Sequence, residues 1–191
     1  MRSIRIKNDL LYFYMNKSVD LIVIESPLEA VALRSVLEWW GVQVNLHLIG
    51  KAQDIVDVFQ NKTLSPYICI EGHGERDGFL LPELAEAIAK RQLYDRVLTS
   101  LNLREFMKFA GQHVLSLACG TGTQEMGKVF LEQGAASYIG PSDYPEGDAS
   151  LMYALSFYYG HFVSNLSIEK AHKKAKSIDS ETGMFELFVD A

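Results

Sequence analysis

Cys119 and His73 are the two residues whose chemical types and surroundings best suit catalysis. Cys119 follows an apolar run at 113–118, and His73 stands between Gly72 and Gly74. A thiol attacks as the thiolate, and a neighbouring histidine lowers the thiol pKa and carries a proton to the leaving group. The sequence therefore predicts covalent catalysis with Cys119 as nucleophile and His73 as acid and base, provided that the fold brings the two together.

Glycines accompany both residues. Gly72 and Gly74 allow the backbone to turn sharply around His73. A backbone N–H in such a turn can face a developing oxyanion. Cys119 precedes Gly120 and a helical pattern, which places it at the carboxyl end of a predicted strand. In open α/β sheets this is the edge at which ligands bind.

The elements that must position these residues alternate along the chain. Apolar runs predict strands at 19–24, 42–49, 67–70, 113–118, 135–140 and 184–189. Helical patterns are predicted at 27–39 after a capping box at Ser26, and at 52–59, 102–111, 125–133, 148–162 and 168–176. This order predicts an α/β fold with three α/β/α layers and a mainly parallel six-stranded sheet.

Shorter sequence patterns complete the predicted secondary structure. Asp77-Gly78 predicts a small hairpin, a helical stretch is predicted at 84–89, and the run 93–100 is ambiguous. The run Leu10 to Met15 is predicted to form an edge strand or a leader within residues 1–18. With no repeat and no Pro- or Ser-rich linker, residues 1–191 are predicted to form a single domain.

The amino-acid composition limits the possible partners, ligands and location of the protein. The chain has 191 residues, a net charge of −6 and a pI near 5.4, which argues against nucleic acid as the main partner. Two cysteines indicate a reducing compartment. We expect no metal site, because no cluster of residues has zinc-ligand spacing. We also expect no cofactor. No signal peptide or membrane span is evident, so we expect a cytoplasmic protein without membrane contact.

The motifs around His73 and Cys119 resemble those of a known family. Gly72-His73-Gly74 after one apolar strand, and Ser-Leu-Ala118-Cys119-Gly-Thr at the end of another, resemble the caspase-like (clan CD) cysteine peptidases. The pattern is most similar to bacterial CHAT domains, and the resemblance extends over residues 19–190. His73 and Cys119 are 46 positions apart, which agrees with the roughly 50 residues between the catalytic histidine and cysteine of caspases. The caspase signature Gln-Ala-Cys-Arg-Gly is absent, so specificity for aspartate is not implied.

This resemblance implies a caspase-like fold and a peptidase that acts through an acyl-enzyme on a protein or peptide substrate. It implies His73 and Cys119 as the catalytic dyad, with the backbone N–H groups of Gly74 and Cys119 as the oxyanion hole. If activation is needed, we expect it to come from a regulatory protein partner or effector. We also expect an intact chain between Cys119 and Asp148, because no long linker separates them.

Two other functions use the same residues. The segment 117–122 also resembles the glycine-rich motif of S-adenosylmethionine-dependent methyltransferases, with Asp143 after the next strand as the ribose-binding acid. That motif normally opens the sheet, whereas here three predicted strands precede it and Gly72-His73-Gly74 stays unexplained. A catalytically silent caspase-like binding module is the other alternative. Taken by itself, Cys119 is also compatible with an ordinary buried cysteine at a strand end.

An acidic loop follows the predicted strand at 135–140. It contains Asp143, Glu146 and Asp148, and its position predicts that it borders the cleft. We expect Asp143 and Asp148 to contribute to substrate binding and to favour a basic residue before the cleaved bond. The alternative role of Asp148 is to cap the helix that follows.

Overall fold

The main sheet confirms the predicted architecture. The computed structural model describes residues 17–25, 27–60, 63–84 and 94–190. Within these ranges six strands form one sheet. In chain order they are β1 (Ser18–Ile24), β2 (Gln43–Ile49), β3 (Tyr67–Gly72), β7 (His113–Ser116), β8 (Ser137–Pro141) and β9 (Phe185–Val189). Across the sheet their order is β2-β1-β3-β7-β8-β9. The first five are parallel, and β9 runs antiparallel to β8.

Helices cover both faces of this sheet. They are α1 (Pro27–Trp39), α2 (Ala52–Phe59), α3 (Ser100–Phe106), α4 (Gln124–Glu132), α5 (Gly147–Tyr158) and α6 (Ile168–Ala175). A π-helical turn (Tyr159–Val163) follows α5, and a 3₁₀ turn (Thr182–Met184) precedes β9. None of the helices in the described part of the chain is long and apolar enough to cross a membrane.

The alternation of apolar side chains along the strands divides the core in two. Ile22 and Ile24 of β1 pack in one cluster with residues of α2, α3 and α4. Leu21 and Val23 point to the opposite face and pack with α1, α5 and α6. Successive side chains of a strand lie on opposite faces of the sheet, so a strand with no polar alternation must be covered on both sides. This is the physical origin of the three layers.

The strand order brings the two predicted catalytic loops to one edge. β3 pairs with β7 in parallel register, with Ile70 opposite Ser116. Leu117 extends this pairing, since its N–H donates to the Ile70 carbonyl at 2.8 Å. The loops that carry His73 and Cys119 therefore leave neighbouring strands on the same side.

A second sheet lies beside the first and has three short strands in the described residues. These are β4 (Gly74–Glu75), β5 (Gly78–Leu80) and β6 (Val97–Thr99), in that order. The hairpin predicted at Asp77-Gly78 is confirmed. Within the run 93–100 that was ambiguous in sequence, Val97–Thr99 forms β6 and Ser100 begins α3.

Two predicted helix starts were wrong, and each error has a local cause. α3 begins at Ser100 and ends at Phe106, since Thr99 and not Asn102 is its cap. The Thr99 side chain accepts from the Asn102 N–H, and Asn102 Oδ1 accepts in return from the Thr99 N–H at 3.0 Å. α5 begins at Gly147, so Asp148 lies in its first turn and is not its cap.

Other boundaries shifted by a few residues. β7 ends at Ser116 and not at 118, and α5 ends at Tyr158, where the π-helical turn replaces the predicted last α-helical turn. The predictions for Leu10 to Met15, for the cap Ser26 and for most of 84–89 fall outside the described residues.

Candidate active site

Buried hydroxyl groups stabilise the turn that carries Cys119. Ser116 and Thr121 are fully buried, and their hydroxyl oxygens lie 2.8 Å apart. The Thr121 hydroxyl donates to the Ala118 carbonyl at 2.8 Å, and the Ala118 N–H donates to Ser116 Oγ at 3.2 Å. These hydrogen bonds close the turn that carries Cys119. Sequence reasoning missed both hydroxyls, although a serine and a threonine that flank a predicted catalytic cysteine are a usable signal.

The turn that carries His73 is packed against the Cys119 turn. Gly74 has no room for a side chain, because a Cβ would come within 2.6 Å of the Cys119 carbonyl oxygen and 2.9 Å of the Ala118 Cβ. Gly72 has a φ of +148°, and a Cβ there would meet the Ile24 carbonyl oxygen at 2.5 Å. Both positions therefore require glycine, since any side chain would clash with the neighbouring turn or strand.

At the glycines after Cys119, the space that a side chain would take is also occupied by protein backbone. A Cβ on Gly122 would lie 2.2 Å from the Gly140 carbonyl oxygen, and its N–H donates to the Pro141 carbonyl at 2.8 Å. Gly120 has a φ of +70° and donates its N–H to the Asp143 carbonyl at 2.9 Å. These contacts anchor the loop to β8 and to the chain beyond it.

His73 and Cys119 line the same cavity. It has a volume of about 240 Å³ and is enclosed by the ends of β3 and β7, the first turn of α1 and the start of α5. Of these two lining residues, Cys119 is half-buried and His73 is exposed. The volume lies below the roughly 300 Å³ at which pockets for small organic ligands begin. The cavity is thus of a size for one side chain.

Burial raises the pKa of the Cys119 thiol, since the thiolate loses hydration there, and the negative charge of Glu146 raises it further. The thiol contacts the Pro145 carbonyl oxygen at 3.6 Å. The resting thiol is therefore protonated at neutral pH, and a base must remove its proton before it can attack. His73 is an ionisable group on the same cavity and can serve as that base.

Glu71 is a functional candidate that sequence reasoning did not select. It is 6% exposed, it lies two residues before His73, and it lines the same cavity. Its Oε2 atom is buried without a hydrogen-bond partner. Burial raises the pKa of Glu71 to about 8, with a further contribution from the charge of Glu29. The available signal was a carboxylate at the end of an otherwise apolar strand.

The acidic loop contributes to the cavity through a different residue than expected. Glu146 lines it, together with Pro145 and Gly147. Asp143 and Asp148 are exposed and do not belong to its lining. Asp143 bonds to the Cys119 turn through its backbone carbonyl, which accepts from the Gly120 N–H at 2.9 Å.

The structure is similar to several solved cysteine proteases. Gingipain R, the Arg-specific cysteine proteinase of Porphyromonas gingivalis, matches with a TM-score of 0.63 at 9% identity, over 93% of this chain and 47% of its own. Separase of Saccharomyces cerevisiae, in complex with securin, matches at 0.56 and 13% identity over 95% of this chain and 13% of its own. A secreted C11 cysteine protease of Bacteroides thetaiotaomicron matches at 0.51 and 14% identity, over 86% of this chain and 59% of its own.

These matches concern the fold. No protein-family model matches the chain, and no curated protein sequence does so. The chain spans about half the length of the gingipain R chain that it matches. By its architecture, the protein has the caspase-like α/β/α fold, and its structural neighbours are cysteine proteases.

Proposed function

We propose that the protein is a cysteine endopeptidase in which Cys119 and His73 form the catalytic dyad. The observation that carries this proposal is that the two side chains line one cavity at the carboxyl ends of neighbouring strands. The fold shared with cysteine proteases supports it. Sites of this kind pair a nucleophile with a base that faces the same substrate.

The proposed reaction proceeds through an acyl-enzyme. His73 takes the Cys119 proton, and the thiolate attacks the carbonyl carbon of the peptide bond. The oxyanion forms between the backbone N–H groups of Gly74 and Cys119, which the close approach of Gly74 to Cys119 supports. His73 then gives its proton to the departing amine. It next removes a proton from a water molecule, which cleaves the thioester and regenerates the thiol.

The packing around the glycines favours this proposal over a methyltransferase. A cofactor-binding glycine-rich loop needs open space above its glycines, so that the cofactor can approach the backbone. The space above Gly122 is occupied by the backbone of residues 140 and 141. The presence of both His73 and Cys119 on one cavity favours an enzyme over a silent binding module.

The test is turnover of fluorogenic peptides. We expect Cys119→Ala to abolish cleavage and to leave the free energy of unfolding within about 0.5 kcal/mol, because a half-buried sulfur at a cavity edge contributes little to the core. His73→Ala should lower kcat by a factor of about 100 or more. Cleavage that persists in Cys119→Ala would refute the dyad.

The same preparation distinguishes the alternatives. A thiol-reactive peptide probe should label Cys119 in a manner that depends on His73, and fully buried Cys69 is the internal unreactive control. Transfer of a labelled methyl group from S-adenosylmethionine would support the methyltransferase. Absence of probe labelling together with peptide binding would support the silent module.

Substrate preference is part of this proposal. We propose a basic residue before the cleaved bond, with Asp143 and Asp148 on the bordering loop as contributors. Matched peptides with Arg, Leu and Asp at that position test the preference, and Asp143→Asn tests the loop. Equal cleavage of the Arg and Asp peptides would exclude it.

A further inference from the structure

The cavity beside Cys119 contains a carboxyl group that the dyad does not use. Glu71 is 6% exposed, and its Oε2 has no hydrogen-bond partner. A buried polar atom without a partner costs about 1–3 kcal/mol. Such atoms are uncommon in native proteins and need an explanation. Because Glu71 lines the cavity, a bound group can supply the missing partner.

Further carboxyl groups converge on the same space. Glu29 lines the cavity from the first turn of α1, and its Oε1 lies 3.3 Å from the position that a Cβ of Gly147 would take. Glu146 lines it at the start of α5. The positive end of the α5 dipole stabilises acidic groups at this point. The cavity therefore combines a buried carboxyl group with two more accessible ones.

We propose that Glu71, assisted by Glu29, forms the base of a substrate pocket that receives the cationic side chain of the residue before the cleaved bond. This inference rests on the proposed peptidase function and gives the cation its partners inside the cavity, where Asp143 and Asp148, proposed as contributors from the bordering loop, do not reach. A lysine or arginine head would give Glu71 Oε2 its partner, and hydrogen bonds to charged groups contribute about twice as much as neutral ones.

The apolar part of the cavity suits the rest of such a side chain. Leu117 and Leu151 belong to the lining of the cavity together with the carboxyl groups. Lysine and arginine bury their methylene stems along apolar surface while the charged end reaches a polar partner. An acidic substrate side chain would instead be repelled by the charges of Glu29 and Glu146, and above about pH 8 by that of Glu71 as well.

The charge of Glu71 makes this preference depend on pH. The ionisable groups that surround it are Glu29 from α1, His73 from its own strand end, Cys119 from the β7 turn and Glu146 from the start of α5. Its pKa is raised to about 8, so the group is mostly protonated at neutral pH and ionised above. We therefore expect the preference for a cation to grow as the pH rises through about 8.

The experiment compares two peptides that differ only in charge. One has arginine before the cleaved bond and the other has citrulline, its neutral near-isostere. We expect the native protein to favour arginine by about 10–100-fold in kcat/KM at a pH near 9, and by less near pH 6.5. The ratio cancels the titration of His73 and Cys119, because both peptides require the same dyad.

Two variants and one control locate the effect. Glu71→Gln should bring the ratio close to one and remove its pH dependence, and Glu29→Gln should lower it by a smaller factor. Glu38→Gln is the matched control on α1, since Glu38 is exposed and pairs with Arg34 away from the cavity. An unchanged ratio in Glu71→Gln, or an equal loss for both peptides, would overturn the proposal.

A binding measurement separates this inference from the proposed function. Cys119→Ala cannot turn over, so the two peptides can be compared by fluorescence anisotropy with that protein. Tighter binding of the arginine peptide that Glu71→Gln abolishes supports the pocket even if no peptide is cleaved. Cleavage without any arginine preference would leave the peptidase proposal intact and refute the pocket.

Discussion

At the scale of single residues, the cavity holds two groups that are protonated at rest for the same physical reason. Cys119 and Glu71 both lose hydration, and burial disfavours the charged form of each. Neighbouring carboxylates strengthen the effect, Glu146 for Cys119 and Glu29 for Glu71. A cationic substrate entering this space would lower both pKa values at once. If Cys119 and Glu71 have the roles proposed above, we expect occupancy of the pocket to favour formation of the Cys119 thiolate.

The protonation of Glu71 also predicts how stability depends on pH. Glutamate ionises near pH 4.5 in the unfolded chain but near pH 8 in the folded protein. Between these values the folded state retains a proton that the unfolded state releases, so stability falls as the pH rises. We expect Glu71→Gln to increase the free energy of unfolding by about 2 kcal/mol near pH 8, where the native protein carries the penalty.

Urea denaturation at about pH 5 and about pH 8 measures this difference. The gain of Glu71→Gln over the native protein should be smaller at the lower pH, because Glu71 is then protonated in the folded state. Glu38→Gln should show no such pH dependence, since Glu38 is exposed. A gain that is the same at both pH values would show that ionisation of Glu71 is not its source.

At the scale of elements, the site depends on two turns that pass each other without side chains between them. The His73 turn leaves β3 and the Cys119 turn leaves β7, and Gly74 is the point of contact. Parallel pairing of the strands determines which turns are neighbours. The glycine determines how closely they approach.

Gly74→Ala tests this contact. The new methyl group would lie 2.6 Å from a backbone oxygen, which cannot move without displacing Cys119. We expect a loss of about 1–3 kcal/mol in the free energy of unfolding, and a fall of 100-fold or more in kcat as the turns separate. Thermal melts and peptide cleavage measure the two effects.

Gly183→Ala is the matched control for this variant. A Cβ at Gly183 would find its nearest neighbour at 3.6 Å, which is ordinary van der Waals contact. That substitution should leave both stability and activity close to native. Full activity in Gly74→Ala would mean that the close approach of the turns is not needed.

At the scale of the whole molecule, the connection between β7 and β8 is short and held at several points. α4 occupies most of it, and the Cys119 turn is bonded to the carbonyls of Pro141 and Asp143. Cutting the chain in this region would release the turn from the strand that anchors it. Integrity of the chain is therefore expected to be a condition of activity.

We expect the active protein to remain a single chain across this connection. Protein labelled at Cys119 with a thiol-reactive peptide probe should show the mass of the uncut chain plus one probe. Cys119→Ala, treated in the same way, should show no added mass. Labelled fragments that arise from a cut between Cys119 and Asp148 would contradict the prediction.

Much of the fold follows from local patterns that any reader of the sequence can find. Short aliphatic runs alternate with helical spacing, so six strands and a three-layer arrangement could be predicted. His73 and Cys119 could be selected because each follows such a run and adjoins glycine. Chemical type and local sequence are sufficient for these inferences, since both depend on near neighbours in the chain.

The rest depends on contacts between segments far apart in sequence. The start of α3 is an exception, because Thr99 caps it through a reciprocal bond with Asn102, which lies only three residues further along the chain. Which acidic residue meets the cavity was decided by where α5 begins, so Glu146 and not Asp148 lines it. The raised pKa of Glu71 results from its burial and from the charge of Glu29, which comes from another element. Sequence determines which groups are present, whereas their hydration and their charged neighbours, and hence their chemistry, are decided by the tertiary structure.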